Sequence, residues 1–123
     1  MSIDFTPFFE QYEALLKAAD AVFEKVRKEY PQCVRCAEGC SDCCHALFDL
    51  TLVEALYIHH RFKQIFADRP EEREAIIAQA NAADRHVYKI KKDAYKALEA
   101  GASDEEILAD LAKKRLRCPL LNA

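Results

Sequence analysis

The sequence contains few of the residues that form tight turns. Its 123 residues include only two glycines and four prolines. Glycine and proline supply the backbone angles that most tight turns require. A fold of many short strands joined by turns is therefore disfavoured, and a few long helices are favoured.

Long apolar runs are also missing. A membrane-spanning helix needs about 18 or more consecutive apolar residues, and the longest apolar runs here are only a few residues long. The first residues, MSIDFTPFFEQ, have no basic start, no long apolar segment and no small-residue cleavage site, unlike a secretory signal. We therefore expect a cytoplasmic protein with no membrane partner, in a compartment that keeps thiols reduced.

The chain has no excess of positive charge. Lysine and arginine number 18 and aspartate and glutamate 21, which gives a net charge of −3. Domains that bind nucleic acid usually show a basic excess, so nucleic acid is not an expected partner. Neither a glycine-rich phosphate loop nor a serine–histidine–aspartate signature is found. The length suits a single domain over residues 1–123.

The sequence does contain strong helical periodicity, in four segments. The first helix is predicted over residues 7–30, with Thr6 as its cap, Pro7 in its first helical position and Pro31 after its end. Its apolar residues recur at steps of three and four, and they are Phe5, Phe9, Tyr12, Leu16, Ala19, Phe23, Val26 and Tyr30.

Two further helices begin with a capping box. Thr51 with Glu54 starts the second helix, which should end near Ala67, and Ser103 with Glu106 starts the fourth. The apolar face of the second helix is predicted at Leu52, Ala55, Ile58, Phe62, Ile65 and Phe66, and that of the fourth at Ile107, Leu108, Leu111 and Leu116.

The third helix is the longest, predicted over residues 70–100 with Gly101 as its C-terminal cap. Its seam alternates steps of four and three, as in antiparallel bundles. The four segments predict an all-α fold, an irregular bundle of about four helices with a cysteine-rich loop over residues 32–50 between the first two. The seam residues are Ile76, Ala80, Ala83, Val87, Ile90, Ala94 and Ala97.

Five of the six cysteines lie in one stretch, CVRCAEGCSDCCH, over residues 33–45. Thiolates bind zinc, iron–sulfur clusters and copper(I), and short spacings let successive sulfurs turn toward one point. The stretch therefore predicts a metal site, which the remote sixth cysteine would close. The candidate ligands are Cys33, Cys36, Cys40, Cys43, Cys44 and Cys118.

Three other interpretations of the cysteines compete with a complete metal site. Disulfides are disfavoured by the expected compartment, and the adjacent pair Cys43 and Cys44 could bridge only with strain. Cysteine as a small core residue suits one or two positions but not five so close together. The third alternative is a site whose remaining ligands lie outside this chain.

The spacing bears on the choice of metal. Structural zinc usually takes two cysteine pairs a dozen or more residues apart, and five local thiolates exceed the four that tetrahedral zinc needs. A cubane iron–sulfur cluster commonly takes three close cysteines and a remote one, followed by proline in ferredoxins. The layout slightly favours the iron–sulfur cluster over zinc, through Cys36, Cys40, Cys43 and the pair Cys118 and Pro119.

Two sequence segments, CSDCCHALFDLTLVEALYI and the later CPLLNA, resemble the YkgJ-type cysteine cluster family, described as a zinc- or iron-chelating domain. The resemblance covers a minority of the chain and implies a metal-binding function whose biological role is open. It leaves open whether Cys33 or Cys36 is the first ligand. The matching residues are Cys40, Cys43, Cys44, Leu50, Thr51, Glu54, Ala55, Cys118, Pro119 and Leu120.

The later half of the family's pattern, with further cysteines, has no counterpart here. The resemblance therefore implies that this chain is the N-terminal part of a longer protein and that its metal site is incomplete as given.

Two alternative functions remain at this point. The spacing of Cys36, Cys40 and Cys43 is also that of radical S-adenosylmethionine enzymes, which would make the chain a redox or radical-type enzyme. Those enzymes have a large α/β barrel, and this chain shows no strand–helix alternation. The other alternative is a helical interaction module held together by zinc, whose protein partner is unknown.

Some residues near the cysteines have a second interpretation. His45 could replace a thiolate as a ligand, but we favour an ordinary loop residue. The basic run over residues 113–117 suits the C-terminal end of a helix, and it would also compensate the negative charge of metal-bound thiolates. Asp42 should turn to solvent.

Overall fold

The computed structural model describes residues 3–121 and confirms the all-α prediction. Its four α-helices are α1 (Thr6–Glu29), α2 (Leu52–Ile65), α3 (Pro70–Glu99) and α4 (Asp104–Lys113). The cysteine stretch lies between α1 and α2 and includes one 3-10 turn, Cys43–His45. Within the described residues no strand is present, apart from one isolated bridge described below.

Both predicted capping boxes are confirmed. The Oγ of Ser103 accepts a 3.2 Å hydrogen bond from the N–H of Glu106, whose carboxylate accepts a 2.9 Å bond from the N–H of Ser103. The N–H of Thr51 likewise donates to Glu54 at 2.7 Å. The backbone and hydroxyl donors of each box lower the pKa of its glutamate. These bonds satisfy amides that a helix start leaves without partners.

The prediction that Thr6 caps α1 is wrong. The N-cap is Phe5, and Thr6 is the first helical residue. The N–H of Thr6 donates to Oδ1 of Asp4 at 2.9 Å, and this bond lowers the pKa of Asp4. The N–H groups of Phe8 and Phe9, which a threonine cap would bind, donate instead to the carbonyl of Phe5 at 3.0 Å.

The described residues form two compact units. The first comprises residues 3–40 and Leu50–Ile65, and within it α1 packs against α2. The contact is aromatic: the ring of Tyr57 meets the rings of Phe9 and Tyr12 edge-on, with centroids 5.6 and 5.0 Å away. The hydroxyl of Tyr57 donates a 2.8 Å bond to Glu13, which raises the pKa of the tyrosine.

Only the N-terminal half of α1 makes these contacts. A helix rises about 1.5 Å per residue, so α1, with 24 residues, extends well beyond α2, with 14. The later apolar residues of the predicted face remain exposed, from 39% at Leu16 to 53% at Tyr30. The C-terminal half of α1 therefore presents an exposed apolar surface.

The second unit comprises Ser41–Asp49 and the residues from Phe66 onward, and within it α3 packs against α4. Ile76 is buried and the other six predicted seam residues are half-buried. Gly101 ends α3 with a φ of +96°, an angle that glycine adopts without strain. The seam and the glycine cap of α3 are thus confirmed.

Two residues assigned to the apolar face of α4 do not belong to it. Leu108 is on the helix but is 65% exposed. Leu116 lies beyond the helix, because the chain becomes extended at Lys114 (φ −70°, ψ 132°). Ile107 and Leu111, which lie on the helix, are half-buried, and so is Leu116 in the extended segment beyond it.

Candidate metal centre

The segment after α4 pairs with the cysteine loop inside the second unit. Ala46 and Arg115 form an antiparallel bridge. Next to it, the N–H of Leu116 donates to the carbonyl of His45 at 2.9 Å. The N–H of Cys118 then donates to the carbonyl of Cys44 at 2.7 Å. The remote cysteine therefore lies directly beside the double cysteine of the loop.

The local backbone explains this pairing. The 3-10 turn is closed by hydrogen bonds from Cys44 to Ser41, from His45 to Asp42 and from Ala46 to Cys43. Ala46 then becomes extended (φ −78°, ψ 142°), as does the chain after α4. Two extended segments that meet side by side exchange backbone hydrogen bonds, which satisfies groups that neither helix nor turn uses.

The candidate metal ligands of the turn and of the facing segment differ in burial. Cys44, His45 and Cys118 are half-buried, whereas Cys43 is exposed. A 3-10 turn has about three residues per turn, so the side chains of Cys43, Cys44 and His45 leave the backbone in three different directions. Not all three can face one metal unless the turn opens.

The other three cysteines belong to the first unit and are exposed. The N–H of Cys33 donates to Tyr30 at 3.0 Å, which closes a turn after α1. The N–H of Cys40 donates to Ala37 at 3.0 Å, around Gly39 with its φ of +86°. Cys36 lies between these two turns. These three cysteines thus lie in and between two tight turns that follow α1.

The cysteine loop and the facing segment contain the types of side chain that bind metals, but these side chains do not converge on one point. Within residues 3–121, no group of three or more histidine, cysteine, aspartate or glutamate side chains is placed to hold a metal ion. Among the described residues, Cys33, Cys36, Cys40, Cys43 and Cys118 form no disulfide.

Charges beside the turn are partly as expected. Asp42 faces solvent, with 91% of its side chain exposed, and it lies 3.9 Å from the guanidinium of Arg115. An ion pair this exposed contributes little to stability. Arg117 donates to the carbonyl of Leu121 at 3.1 Å, and the N–H of Leu121 donates to Cys118 at 3.1 Å. Arg115 and Arg117 both belong to the segment that pairs with the cysteine loop.

The ring of His45 makes a contact that the sequence did not reveal. Its Nδ1 lies 3.0 Å from the carbonyl oxygen of Ser41, four residues earlier. The only sequence signal for it is the position of a histidine directly after the double cysteine.

A cleft of about 240 Å³ lies elsewhere in the second unit, between α3 and α4. Its lining combines apolar residues with the acidic residues Asp93, Glu106 and Asp110. None of its lining residues is a cysteine or a histidine. They are Ile90, Asp93, Ala94, Ala97, Ala102, Glu106, Ile107, Asp110, Leu111 and Lys114.

Comparison with known proteins assigns no family and no function to this chain. No protein-family model matches it, and neither a curated protein nor a solved structure shows significant similarity.

Among residues 3–121, none of the helices combines the length and apolar character that crossing a membrane requires.

Proposed function

We propose that this chain is a cytoplasmic metal-binding protein that chelates an iron–sulfur cluster or zinc through clustered thiolates. The ligands would come from the loop over residues 32–50, with Cys118 completing the site. The hydrogen bond from Cys118 to Cys44 is the observation that supports the proposal most. It joins two cysteines 74 positions apart in a chain that has only six.

The chemistry of the site supports the same proposal. Exposed thiols in a succession of tight turns are accessible to a metal ion. Arg115 and Arg117 beside the paired segment would offset the negative charge of thiolates around a metal. The resemblance of the loop and of the Cys118 segment to a metal-chelating family points to the same function.

The test is anaerobic purification followed by elemental analysis and a visible absorption spectrum. Iron together with acid-labile sulfide and a broad visible absorption would support the cluster. Stoichiometric zinc in a colourless protein would support zinc. Absence of bound metal, both as purified and after reconstitution with iron and sulfide or with zinc, would overturn the proposal.

The exposed half of α1 favours one second candidate, an interaction module held together by zinc. The exposed apolar side chains there, Leu16, Phe23, Val26 and Tyr30 among them, would form the surface for a protein partner. In that case chelation should lower the helical content measured by circular dichroism. Unchanged helicity after complete metal removal would argue against this candidate.

A further inference from the structure

The hydrogen bond of His45 determines which of its ring nitrogens carries the proton. Nδ1 lies 3.0 Å from the carbonyl oxygen of Ser41. A carbonyl oxygen only accepts hydrogen bonds, so Nδ1 must be the donor. In the neutral ring, Nε2 then has no proton, and its lone pair can bind a metal.

Histidine ligands in metalloproteins usually have this arrangement. One ring nitrogen binds the metal, and the other donates to a carboxylate or a backbone carbonyl that holds the ring in place. Because the Ser41 carbonyl already fills that second role, the His45 ring is held in the tautomer that a metal requires at Nε2.

The backbone pairing supplies thiols next to this ring. Cys44 precedes His45 directly, and Cys118 donates to the Cys44 carbonyl at 2.7 Å while Leu116 donates to the His45 carbonyl at 2.9 Å. All three donor residues are half-buried, in contrast to the exposed Cys43. Partial burial reduces competition from water for a bound metal.

We propose that His45 is a metal ligand through Nε2, in one site with the thiolates of Cys44 and Cys118. This inference rests on the proposed metal-binding function and deepens it. A mixed set of thiolates and one imidazole is typical of structural zinc sites. It therefore selects zinc over a cluster held by thiolates alone.

Binding needs a modest change at the turn. Neighbouring side chains of a 3-10 turn diverge by about 120°, so the side chain of Cys44 must turn toward the ring of His45. The ring itself stays in place, because His45 is held through its N–H to Asp42, its carbonyl to Leu116 and its Nδ1 to Ser41. The hydrogen bond from His45 to Ser41 should persist in the metal-bound state.

The decisive measurement is nuclear magnetic resonance of the full chain with ¹⁵N-labelled histidine, under reducing conditions. Zinc ions should shift the Nε2 resonance of His45 and leave its Nδ1 protonated. Substitution with ¹¹³Cd should produce a scalar coupling between the metal and that Nε2. This readout uses the unaltered sequence, so it does not depend on a variant that folds.

Affinity measurements with zinc complete the test. His45→Ala should weaken zinc binding at least tenfold, whereas His45→Cys should largely restore it, since a thiolate replaces the imidazole. The matched control is His86→Ala, on the exposed surface of α3, which should bind zinc like the original chain.

The outcomes separate the two proposals. If zinc binds but His45 shows neither shift nor coupling, the ligand role is overturned and thiolate binding stands. If His45→Ala weakens binding while coupling is absent, His45 only positions the loop through Ser41, which also overturns the ligand role. If the original chain binds neither zinc nor an iron–sulfur cluster, the proposed function itself fails.

Discussion

The N–H of Cys118 donates a 2.7 Å hydrogen bond to the carbonyl of Cys44. Helices α2, α3 and α4 lie between Cys44 and Cys118 in the sequence, and both cysteines belong to the unit in which α3 packs against α4. Bringing together residues so far apart in the chain costs conformational entropy. The packing of α3 against α4 and the backbone hydrogen bonds beside the cysteines offset that cost.

The first prediction concerns Cys118. Cys118→Ser should reduce bound metal at least tenfold after reconstitution, because a hydroxyl is a poor ligand for a soft or borderline metal. Elemental analysis and competition with a chromogenic chelator would measure this. Ala46→Ser in the facing segment is the control, since it adds a hydroxyl without removing a donor. Equal metal content in both variants would exclude Cys118 from the site.

The second prediction concerns the start of α4. Ser103→Ala should lower the free energy of unfolding by about 1 kcal/mol, the usual effect of losing a side-chain cap. Thr6→Ala is the control, because Thr6 lies inside α1 instead of at its N-cap, and it should change stability by less than about 0.5 kcal/mol. Urea denaturation followed by circular dichroism would compare them. Similar losses for both would refute the assignment of Ser103 as the cap.

The third prediction is a loss of helix stability in acid. Hydrogen bonds from Ser103 lower the pKa of Glu106 below its ordinary value of 4.5. A carboxyl whose pKa is lower in the folded state stabilises that state above the unfolded pKa, and this contribution is lost as the pH falls below 4.5. Helicity should decline over that range.

Glu106→Gln should make the acid loss less steep. The control is Glu105→Gln, in the same helical turn but outside the capping box, and it should leave the profile closer to that of the original chain. Circular dichroism titrated from pH 7 to pH 2 measures both. Superimposable profiles for the two variants would contradict the role of Glu106.

The fourth prediction concerns the core of the second unit. Ile76 is 6% exposed, whereas its neighbour Ile77 is 43% exposed on the same helix. Ile76→Ala should cost about 2–5 kcal/mol, and Ile77→Ala, which removes the same atoms, should cost less than about 1 kcal/mol. Chemical denaturation would measure both. Equal costs would show that α3 buries a different face in solution.

Local rules predicted much of the fold. Capping boxes, a glycine with positive φ and a repeat of steps of four and three are written in neighbouring residues, so the starts of α2 and α4 and the seam of α3 follow from the sequence. Thr6 failed as a cap because the helix begins one residue earlier than expected, with Phe5 as its N-cap. The N–H groups of Phe8 and Phe9 donate to the Phe5 carbonyl, so the amides that the Thr6 hydroxyl would cap already have an acceptor.

The candidate site was less predictable for a different reason. Cys118 was expected to join the loop because a remote cysteine completes many metal sites, but the backbone pairing of residues 44–46 with 115–118 has no side-chain signature. Leu116 was therefore assigned to α4 by its apolar character. The hydrogen bond of His45 to Ser41 likewise depends on a turn that the sequence does not specify. The metal itself stays a prediction.

The alignment of Cys118 with Cys44 depends on main-chain atoms alone, which has a consequence for how this segment tolerates substitution. Arg115 and Arg117 are exposed, so we expect their exchange for most other residues to leave the thiol at 118 in place, whereas Leu116 is half-buried and should favour apolar residues. Proline should be excluded at position 116, because it lacks the N–H that donates to the His45 carbonyl. A library of variants over residues 115–117 should therefore be permissive at 115 and 117 and depleted of proline at 116.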